Sequence, residues 1–330
     1  MSTQNIAFGA KGLLFVRTVA GDIAPEELGV TNAHEHVFIR NGLILVQEPD
    51  FRLDSEDAAI SELSNYAQFG GRAVVDTAPL AIGRDPDALL RVSQASDVHI
   101  IAATGFHKSK YYLDTHWRFH LSVDEIATLL VSEIQEGMDV YGFESPRRQR
   151  SKARAGVIKV ASDYQQISAS SRTAIEAAAI AHGRTGAPVL THTELGTMAM
   201  EQLDLLEKGG VSPRHVVLSH VDRNPDLSLH RELAQRGAYL EYDGPGRIKY
   251  FPESTLLNLI RGIFEAGLES QILIGGDTAR RSYWKAYGGG PGIAYTQEYF
   301  VPRMLREGFD ERSVQRIFVM NPSVAFQFRS

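Results

Sequence analysis

Six polar residues that could bind a metal ion or move a proton stand at the ends of apolar stretches of this sequence. They are His34, His36, Lys159, His192, His220 and Asp277. Residues two apart in a β-strand project from the same face, so His34 and His36 can grip one ion from one side. A single histidine in a strand is more often a hydrogen-bonded core residue. The six together predict a metal site built from nitrogen and oxygen ligands.

Lys159 is the unusual member of this set, because it lies between Ile158 and Val160 in an apolar stretch. Burial of a lysine is costly unless its charge is paired or lost, and desolvation lowers its pKa. A neutral amine can capture carbon dioxide as a carbamate, a short carboxylate able to bridge two cations. The alternatives are a buried ion pair with Asp277 and a Schiff-base lysine. The four histidines favour the carbamate.

Composition narrows the classes of function. The sequence has no cysteine, which excludes disulfides, thiolate catalysis and cysteine-bound zinc. Its formal net charge of −6 argues against nucleic acid or a membrane surface as a partner, since both attract a basic face. The N-terminus shows no basic region followed by an apolar core, and the apolar runs are strand-sized. We therefore expect a cytoplasmic protein that acts on a small molecule.

Eight short apolar stretches recur along the chain, each followed by a polar or glycine-containing step and then by a longer segment. The stretches are 29–32, 72–78, 99–104, 156–161, 188–193, 216–220, 238–242 and 272–276. Helical patterns cover 124–136, 171–185, 198–208, 227–236 and 253–266. Continuously apolar strands are typical of parallel sheets that are buried on both faces. Eight strand–helix units predict one (β/α)₈ barrel domain over residues 1–330.

An open doubly wound sheet is the alternative fold. It would need a glycine-rich phosphate-binding turn after the first strand, and the residues from Thr31 to His34 do not provide one. We expect a hairpin at 14–23 before the barrel and a closing helix that begins at 313–318. Catalytic groups of such barrels lie at the C-terminal ends of the strands. The barrel would therefore bring all six polar residues to one mouth.

Five segments that carry the six polar residues resemble a known group of enzymes. They are Thr31-Asn32-Ala33-His34-Glu35-His36, Ala155-Gly156-Val157-Ile158-Lys159-Val160-Ala161, Thr191-His192-Thr193-Glu194, Ser219-His220-Val221-Asp222 and Gly275-Gly276-Asp277. Over essentially the whole chain they resemble the phosphotriesterase-like group of the amidohydrolase superfamily. The resemblance implies a hydrolase, with a homodimer as the assembly common in such families.

The resemblance also implies a role for each ligand. His34, His36 and Asp277 would bind the more buried of two divalent metal ions, and His192 and His220 the more exposed one. Carboxylated Lys159 and a hydroxide would bridge both ions, and Asp277 would be the catalytic residue that accepts the hydroxide proton. Zinc suits these ligands, with manganese or cobalt as alternatives. Metal-bound water ionises near neutral pH and attacks the substrate.

Basic residues in the loops after strands seven and eight suggest the substrate class. These loops are the favoured phosphate-binding position of a barrel. Lys249, Arg280 and Tyr283 are similar to the phosphate-contacting residues of the sugar-phosphate (phospho-furanose) lactonase branch. Taken singly, such residues are ordinary surface charges. Together they predict that the enzyme opens a phosphorylated sugar 1,4-lactone, an anionic lactone.

Three alternatives to this function remain open from the sequence. The first is an acyl-homoserine lactonase or carboxylesterase with weak phosphotriesterase activity. The second is a barrel that binds a sugar phosphate without catalysis, and the third is a Schiff-base aldolase using Lys159. Among other histidines, His107 after strand three could contact substrate. His116 and His120 are four residues apart but have no evident carboxylate partner, so we expect them to be structural or surface residues.

Overall fold

Eight parallel strands form the central sheet of the computed structural model, which describes residues 14–329. In chain order the strands are β1 (Phe15–Thr18), β2 (Gly21–Ile23), β3 (Thr31–Glu35), β4 (Ala73–Asp76), β5 (His99–Gly105), β6 (Val157–Ala161), β7 (Val189–His192), β8 (Val216–Ser219), β9 (Tyr239–Tyr242), β10 (Ile272–Ile274) and β11 (Gln327–Phe328). Strands β3 to β10 lie side by side in sequence order, and each pairs in parallel with the next.

The sheet closes on itself between β3 and β10. The backbone amides of Gly276 and Asp277 donate hydrogen bonds of 3.1 and 2.9 Å to the carbonyl oxygen of His34. A Cβ atom at Gly275 would lie 2.6 Å from the Cβ of His34, so only glycine allows this close approach. The closure confirms the predicted (β/α)₈ barrel.

Helices follow the strands and cover the outside of the barrel. They are α1 (Leu43–Gln47), α2 (Glu56–Gln68), α3 (Pro86–Ser96), α4 (Val123–Gln135), α5 (Ala169–Thr185), α6 (Ala199–Lys208), α7 (Leu227–Arg236), α8 (Glu253–Glu265), α9 (Val301–Arg306), α10 (Glu311–Gln315) and α11 (Asn321–Ala325). Polar N-caps fix where several of them begin; for example, Ser122 and Glu125 form a capping box at α4. In the described part of the chain, no helix is long and apolar enough to cross a membrane.

Two hydrophobic layers hold the barrel together, one inside it and one between the sheet and the helices. The inner layer contains small and branched side chains, among them Ala33, Val75, Ala103, Leu190, Val217 and Leu273. Val16 of β1 and Phe326 pack with this inner layer. Strand β1 pairs with both β2 and β11, so the predicted hairpin is present. The Val19 amide donates to the Ile100 carbonyl near the start of β5, so the hairpin lies at the end of the barrel away from the mouth.

The strand boundaries differ from the predicted ones most at the first barrel strand, and the last strand also ends earlier than predicted. The sequence placed the first strand at 29–32, whereas β3 begins at Thr31 because Gly29 turns the chain with a φ of +69°. Strand β10 ends at Ile274, so Asp277 follows in a loop. The closing helix, which we expected to begin at 313–318, begins with α10 and continues through a π-helical turn at Arg316–Met320 into α11.

A buried ion pair fastens α4 to the barrel. Arg84 Nη2 donates to both carboxylate oxygens of Glu133 at 2.5 and 2.6 Å, and Arg84 Nη1 donates to the carbonyl of Ala103 at 2.6 Å. Glu133 also accepts hydrogen bonds from Thr104 Oγ1 at 2.7 Å and from the Asp139 amide at 2.9 Å. The loss of either charge would leave the other buried and unpaired.

We therefore expect Arg84→Met to lower the free energy of unfolding by about 3–5 kcal/mol, as measured by urea denaturation. The matched control is Arg72→Met, which breaks the exposed pair between Arg72 and Asp97 and should cost about 1 kcal/mol or less. If both variants lost the same small amount of stability, the Arg84 pair would not be a structural fastening.

Candidate metal centre

The seam between β3 and β10 brings together His34, His36 and Asp277. His36 Nε2 lies 3.4 Å from Asp277 Oδ1, and His34 Nε2 lies 3.9 Å from the same oxygen. His34 belongs to β3 and His36 follows its last residue, and both imidazoles face Asp277, as the spacing of two residues predicts. One ligand atom from each of the three residues lies within 4.8 Å of the others, which is close enough to hold one ion.

His220 and His192 continue this cluster along the C-terminal ends of β8 and β7. The ring centroids of His34 and His220 are 4.5 Å apart, and those of His220 and His192 are 4.7 Å apart. His220 has a left-handed backbone with a φ of +67°, an uncommon conformation for a residue other than glycine. Such strain is typical of functional sites, because the surrounding structure must enforce it.

A carboxylate lies behind each of three imidazoles. Asp243 Oδ2 is 2.7 Å from His220 Nδ1, Glu194 Oε2 is 2.8 Å from His192 Nε2, and Glu241 Oε2 is 3.3 Å from His34 Nδ1. Metal-binding histidines usually have such a partner, which fixes the ring orientation and the tautomer. The His220 contact leaves Nε2 free to face the cluster, and the His192 contact leaves Nδ1.

The sequence analysis missed Glu241 and Asp243 as members of the site. The signal was present, because two acidic residues alternate with Tyr242 at the end of an otherwise apolar stretch. Acids two apart in a strand project to the same side. Burial and the neighbouring Asp243 raise the pKa of Glu241 well above its ordinary value. The floor of the site therefore holds a cluster of carboxylates that the histidines and arginines must balance.

The buried imidazoles fit a metal ion. Burial lowers the pKa of His34, His36, His192 and His220, which keeps the rings in the neutral form that ligates metals. Thr77 Oγ1 lies 2.9 Å from His34 Nε2 and 3.1 Å from His36 Nε2. One hydroxyl donates a single hydrogen bond, so it cannot satisfy both nitrogens as acceptors. A cation between them and Asp277 would do so.

Lys159 lies at the bottom of the same cavity, on β6, and is almost fully buried. Burial lowers its pKa to about 8, against the opposing charges of Asp277, Asp76 and Glu241. At pH 7 about a tenth of the amine is therefore neutral. Gly105 on β5 allows the backbone to pass close to Lys159, since a Cβ at Gly105 would lie 2.0 Å from the Lys159 carbonyl oxygen.

Two arginines hold Asp277 in place. Arg223 Nη2 is 2.7 Å from Asp277 Oδ2, and Arg247 Nη1 donates to the Asp277 carbonyl at 2.7 Å and also contacts Oδ2. Burial alone would raise the pKa of Asp277, but Arg247, His36 and Arg223 hold it well below its ordinary value. The sequence analysis missed Arg223. Arg247 belongs to the loop after β9, one of the two basic loops assigned to the substrate from the sequence, but here it mainly pairs with Asp277 and Asp243.

The three residues predicted to bind phosphate share one wall of the cavity. Lys249 Nζ donates to Tyr283 Oη at 3.1 Å. Arg280 stacks on the ring of Phe51, with its Cζ 4.3 Å from the ring centroid, and pairs with Glu48. The metal-site histidines, Lys159 and Asp277 line the same cavity, whose volume is about 790 Å³ including its open mouth. This space is within the range of small-molecule sites.

The remaining predicted histidines fall in two places. His107 lines the cavity, and its ring lies beside that of His192 at a tilt of 56°, with centroids 4.8 Å apart. Next to it, Lys108 forms an ion pair with Glu194 that the sequence did not predict. His116 Nε2 is 2.8 Å from Glu144 Oε1, a carboxylate partner that was not evident in the sequence. His116 and His120 do not line the cavity.

Comparisons with known proteins agree with this geometry. The model of the phosphotriesterase family matches residues 15–326. The phospho-furanose lactonase of Mycoplasmopsis synoviae is 37% identical over 95% of this chain and 92% of its own length. That of Mycoplasmopsis agalactiae is 35% identical with the same coverage. The crystal structure of a lactonase from Listeria monocytogenes superposes with a TM-score of 0.89 at 32% identity, covering 96% of this chain and all of that one.

The contact between Asp243 and His220 yields a prediction about metal retention. We expect Asp243→Asn to weaken metal binding by about 10- to 100-fold, because the amide no longer fixes the His220 ring by a charged hydrogen bond. Metal content after dialysis against a graded chelator measures the loss. Asp310→Asn, which changes an exposed helix cap instead, is the control. If the two variants retained metal equally, Asp243 would have no role in positioning His220.

Proposed function

The chain belongs to the phosphotriesterase family and is a hydrolase, and on that premise we propose that it opens a phosphorylated sugar 1,4-lactone at a two-metal site. The observation that carries this proposal is that a single cavity holds both groups of residues. The histidine cluster with Lys159 and Asp277 forms its floor, and Lys249, Arg280 and Tyr283 form one wall. The first group suits hydrolysis, and the second suits an anionic substrate.

The proposed metal ligands are divided between two ions. His34, His36 and Asp277 would hold one, and His192 and His220 the other, with carboxylated Lys159 between them. The lowered pKa of Lys159 supports carboxylation, because only the neutral amine reacts with carbon dioxide. When bound, divalent cations such as zinc lower the pKa of water to near neutrality and polarise a carbonyl oxygen. Manganese and cobalt suit the same ligands.

Asp277 is proposed to accept the proton released during hydrolysis. Its two carboxylate oxygens have different surroundings, since Oδ2 contacts Arg223 and Arg247 whereas Oδ1 faces His36. The arginines hold the carboxylate in one orientation, with Oδ1 turned toward the histidines that are proposed to bind metal. Asp277 lines the cavity and has a left-handed backbone with a φ of +45°, a strained conformation that is typical of functional sites.

The substrate class follows from the charge on the cavity wall. A phosphate can receive hydrogen bonds from the guanidinium of Arg280, the ammonium of Lys249 and the hydroxyl of Tyr283. The phospho-furanose lactonases among the relatives carry a name that fits this class. Hydrolysis of the lactone ester would produce a free carboxylate and a hydroxyl, with the phosphate left unchanged.

A second candidate substrate is an acyl-homoserine lactone, and one feature favours it. A cleft beside the cavity, between the loops after β9 and β10, is lined by Pro245, Ile248 and Pro291. The Ile248 side chain is largely exposed, and an acyl chain could cover it. The basic wall next to this cleft gives an uncharged acyl chain no partner, so we place this candidate second.

A direct test is a screen of protein loaded with zinc or with manganese. The substrates are phosphorylated and unphosphorylated aldono-1,4-lactones, acyl-homoserine lactones and a phosphotriester. We expect the highest kcat/KM with a phosphorylated lactone. A higher value with an acyl-homoserine lactone would favour the second candidate, and no hydrolysis of any ester would favour a barrel that only binds sugar phosphates.

Lys159 provides a test of the bridging carbamate. We expect Lys159→Ala to reduce activity by roughly 100-fold or more and to lower the metal content, because a ligand shared by both ions is gone. Short carboxylates such as acetate or propionate should restore part of the activity by occupying the space. Metal analysis and steady-state kinetics with and without these acids measure both effects. Full activity of the variant without added acid would refute the carbamate.

Arg280 provides a test of the phosphate subsite. We expect Arg280→Met to raise KM for a phosphorylated lactone by about 10- to 100-fold, because a charged hydrogen-bonding partner is lost. The KM of the unphosphorylated analogue should not change, which makes that substrate the internal control. An equal effect on both substrates would show that Arg280 supports the fold of the loop rather than the phosphate.

A further inference from the structure

Arg280 is already paired with carboxylates of the protein itself. Its Nη2 contacts Glu48, and its Nη1 lies 3.8 Å from Asp50 Oδ2. Phe51 supports the flat face of the guanidinium from below. Glu48 lines the cavity together with Arg280, so its carboxylate occupies a position on the guanidinium that an incoming anion would need. The guanidinium that is proposed to bind phosphate is therefore already paired with an acidic side chain of the protein.

The segment that carries Glu48 lines the cavity with Ile44, Glu48 and Phe51. Glu48 directly follows α1, and its amide closes the last turn of that helix on the Ile44 carbonyl. Gln47 Nε2 donates to the carbonyl of Lys110 at 2.8 Å, which ties the segment to the loop after β5. The pair with Arg280 ties it to the loop after β10. Glu48 is thus held between two loops that line the cavity.

The Glu48 carboxylate and a phosphate group cannot both use the same N–H groups of Arg280. The Glu48 side chain is 34% exposed, so it can turn toward water when it is displaced. A phosphate dianion carries more charge than a carboxylate and offers more acceptor oxygens, so it can take over the guanidinium. An uncharged lactone has no group to do this and would leave the pair intact.

On the basis of the function proposed above, we propose that Glu48 is a specificity-determining residue that competes with the substrate phosphate for Arg280. In the empty site Glu48 holds the guanidinium flat on Phe51 and ready for an anion. When a phosphorylated lactone binds, its phosphate replaces Glu48 on Arg280. After ring opening the product carries an additional carboxylate, and Glu48 returns to Arg280 as the product leaves.

This competition has a measurable sign, because removal of the Glu48 charge should strengthen phosphate binding. We expect Glu48→Gln to lower KM for a phosphorylated lactone, and the inhibition constant of inorganic phosphate, by about three- to fivefold. The KM of the unphosphorylated lactone should stay unchanged. Glu48→Ala leaves no hydrogen-bonding group at the end of the side chain. It should therefore also lower KM for the phosphorylated lactone and the inhibition constant of phosphate.

The matched control is Asp54→Asn. Asp54 lies in the same segment and pairs with Arg281 at 3.5 Å, but it does not line the cavity. The control removes one carboxylate and one contact between the same two loops, so it should leave KM and the phosphate inhibition constant unchanged. An equal shift in Asp54→Asn would mean that general charge or loop mobility, rather than competition for Arg280, causes the effect, and would overturn the proposal.

A double variant separates competition from repulsion at a distance. In an Arg280→Met background the Glu48→Gln effect on phosphate inhibition should vanish, because the shared partner is gone. Persistence of the effect in that background would overturn the proposal, as would unchanged or raised constants in the single variants. If the unaltered protein neither hydrolyses a phosphorylated lactone nor is inhibited by phosphate, the proposed function fails and Glu48 has no such role. If the unaltered protein hydrolyses a phosphorylated lactone and is inhibited by phosphate, the proposed function stands, and the constants of the Glu48 variants decide whether Glu48 competes for Arg280.

Discussion

The hydrogen bonds that close the barrel are also what build the site. The amides of Gly276 and Asp277 reach the carbonyl of His34, so the last strand meets the first at the residue that begins the histidine cluster. Glu35 strengthens the same seam by accepting hydrogen bonds from Asn32 and from the Thr278 amide. Closure of the sheet therefore also brings Asp277 to His34 and His36.

The charges around this seam depend on one another. Asp243 orients His220 and pairs with Arg223, and Arg223 in turn contacts Asp277. A buried carboxylate is stable only with such partners, because the interior offers no water to replace them. The neutral imidazoles complete a site whose nitrogen and oxygen atoms suit divalent cations. The acids on its floor thus have a role in both stability and ligand binding.

The loop residues around the cavity are held by different contacts from those of the buried histidines and acids on its floor. Ion pairs hold these loops together, and several of these pairs are partly exposed, so they are weaker and exchangeable. Arg280 with Glu48 is one such pair, whereas the Lys108 side chain is buried where it pairs with Glu194. The buried residues on the floor keep fixed positions, whereas a charged side chain on the wall can exchange its partner for a substrate group. This arrangement suits an enzyme that must admit one class of substrate.

The sequence by itself determined the barrel and the six residues at its mouth. Buried parallel strands are continuously apolar, so a polar residue such as Lys159 in that pattern is visible without coordinates. The His-x-His spacing needs only the alternation of a strand to be interpreted.

The tertiary structure alone decided which partner each of these residues has. Glu48 and Arg280 are separated by more than two hundred positions in the sequence, as are His34 and Glu241. Their contacts arise because the closed sheet and its loops fold distant segments onto one mouth. Arg247 illustrates the limit, because its loop predicted a phosphate ligand and the structure pairs it with Asp277. A charge shows its type in the sequence, but its role depends on the nearest opposite charge, which only the folded chain determines.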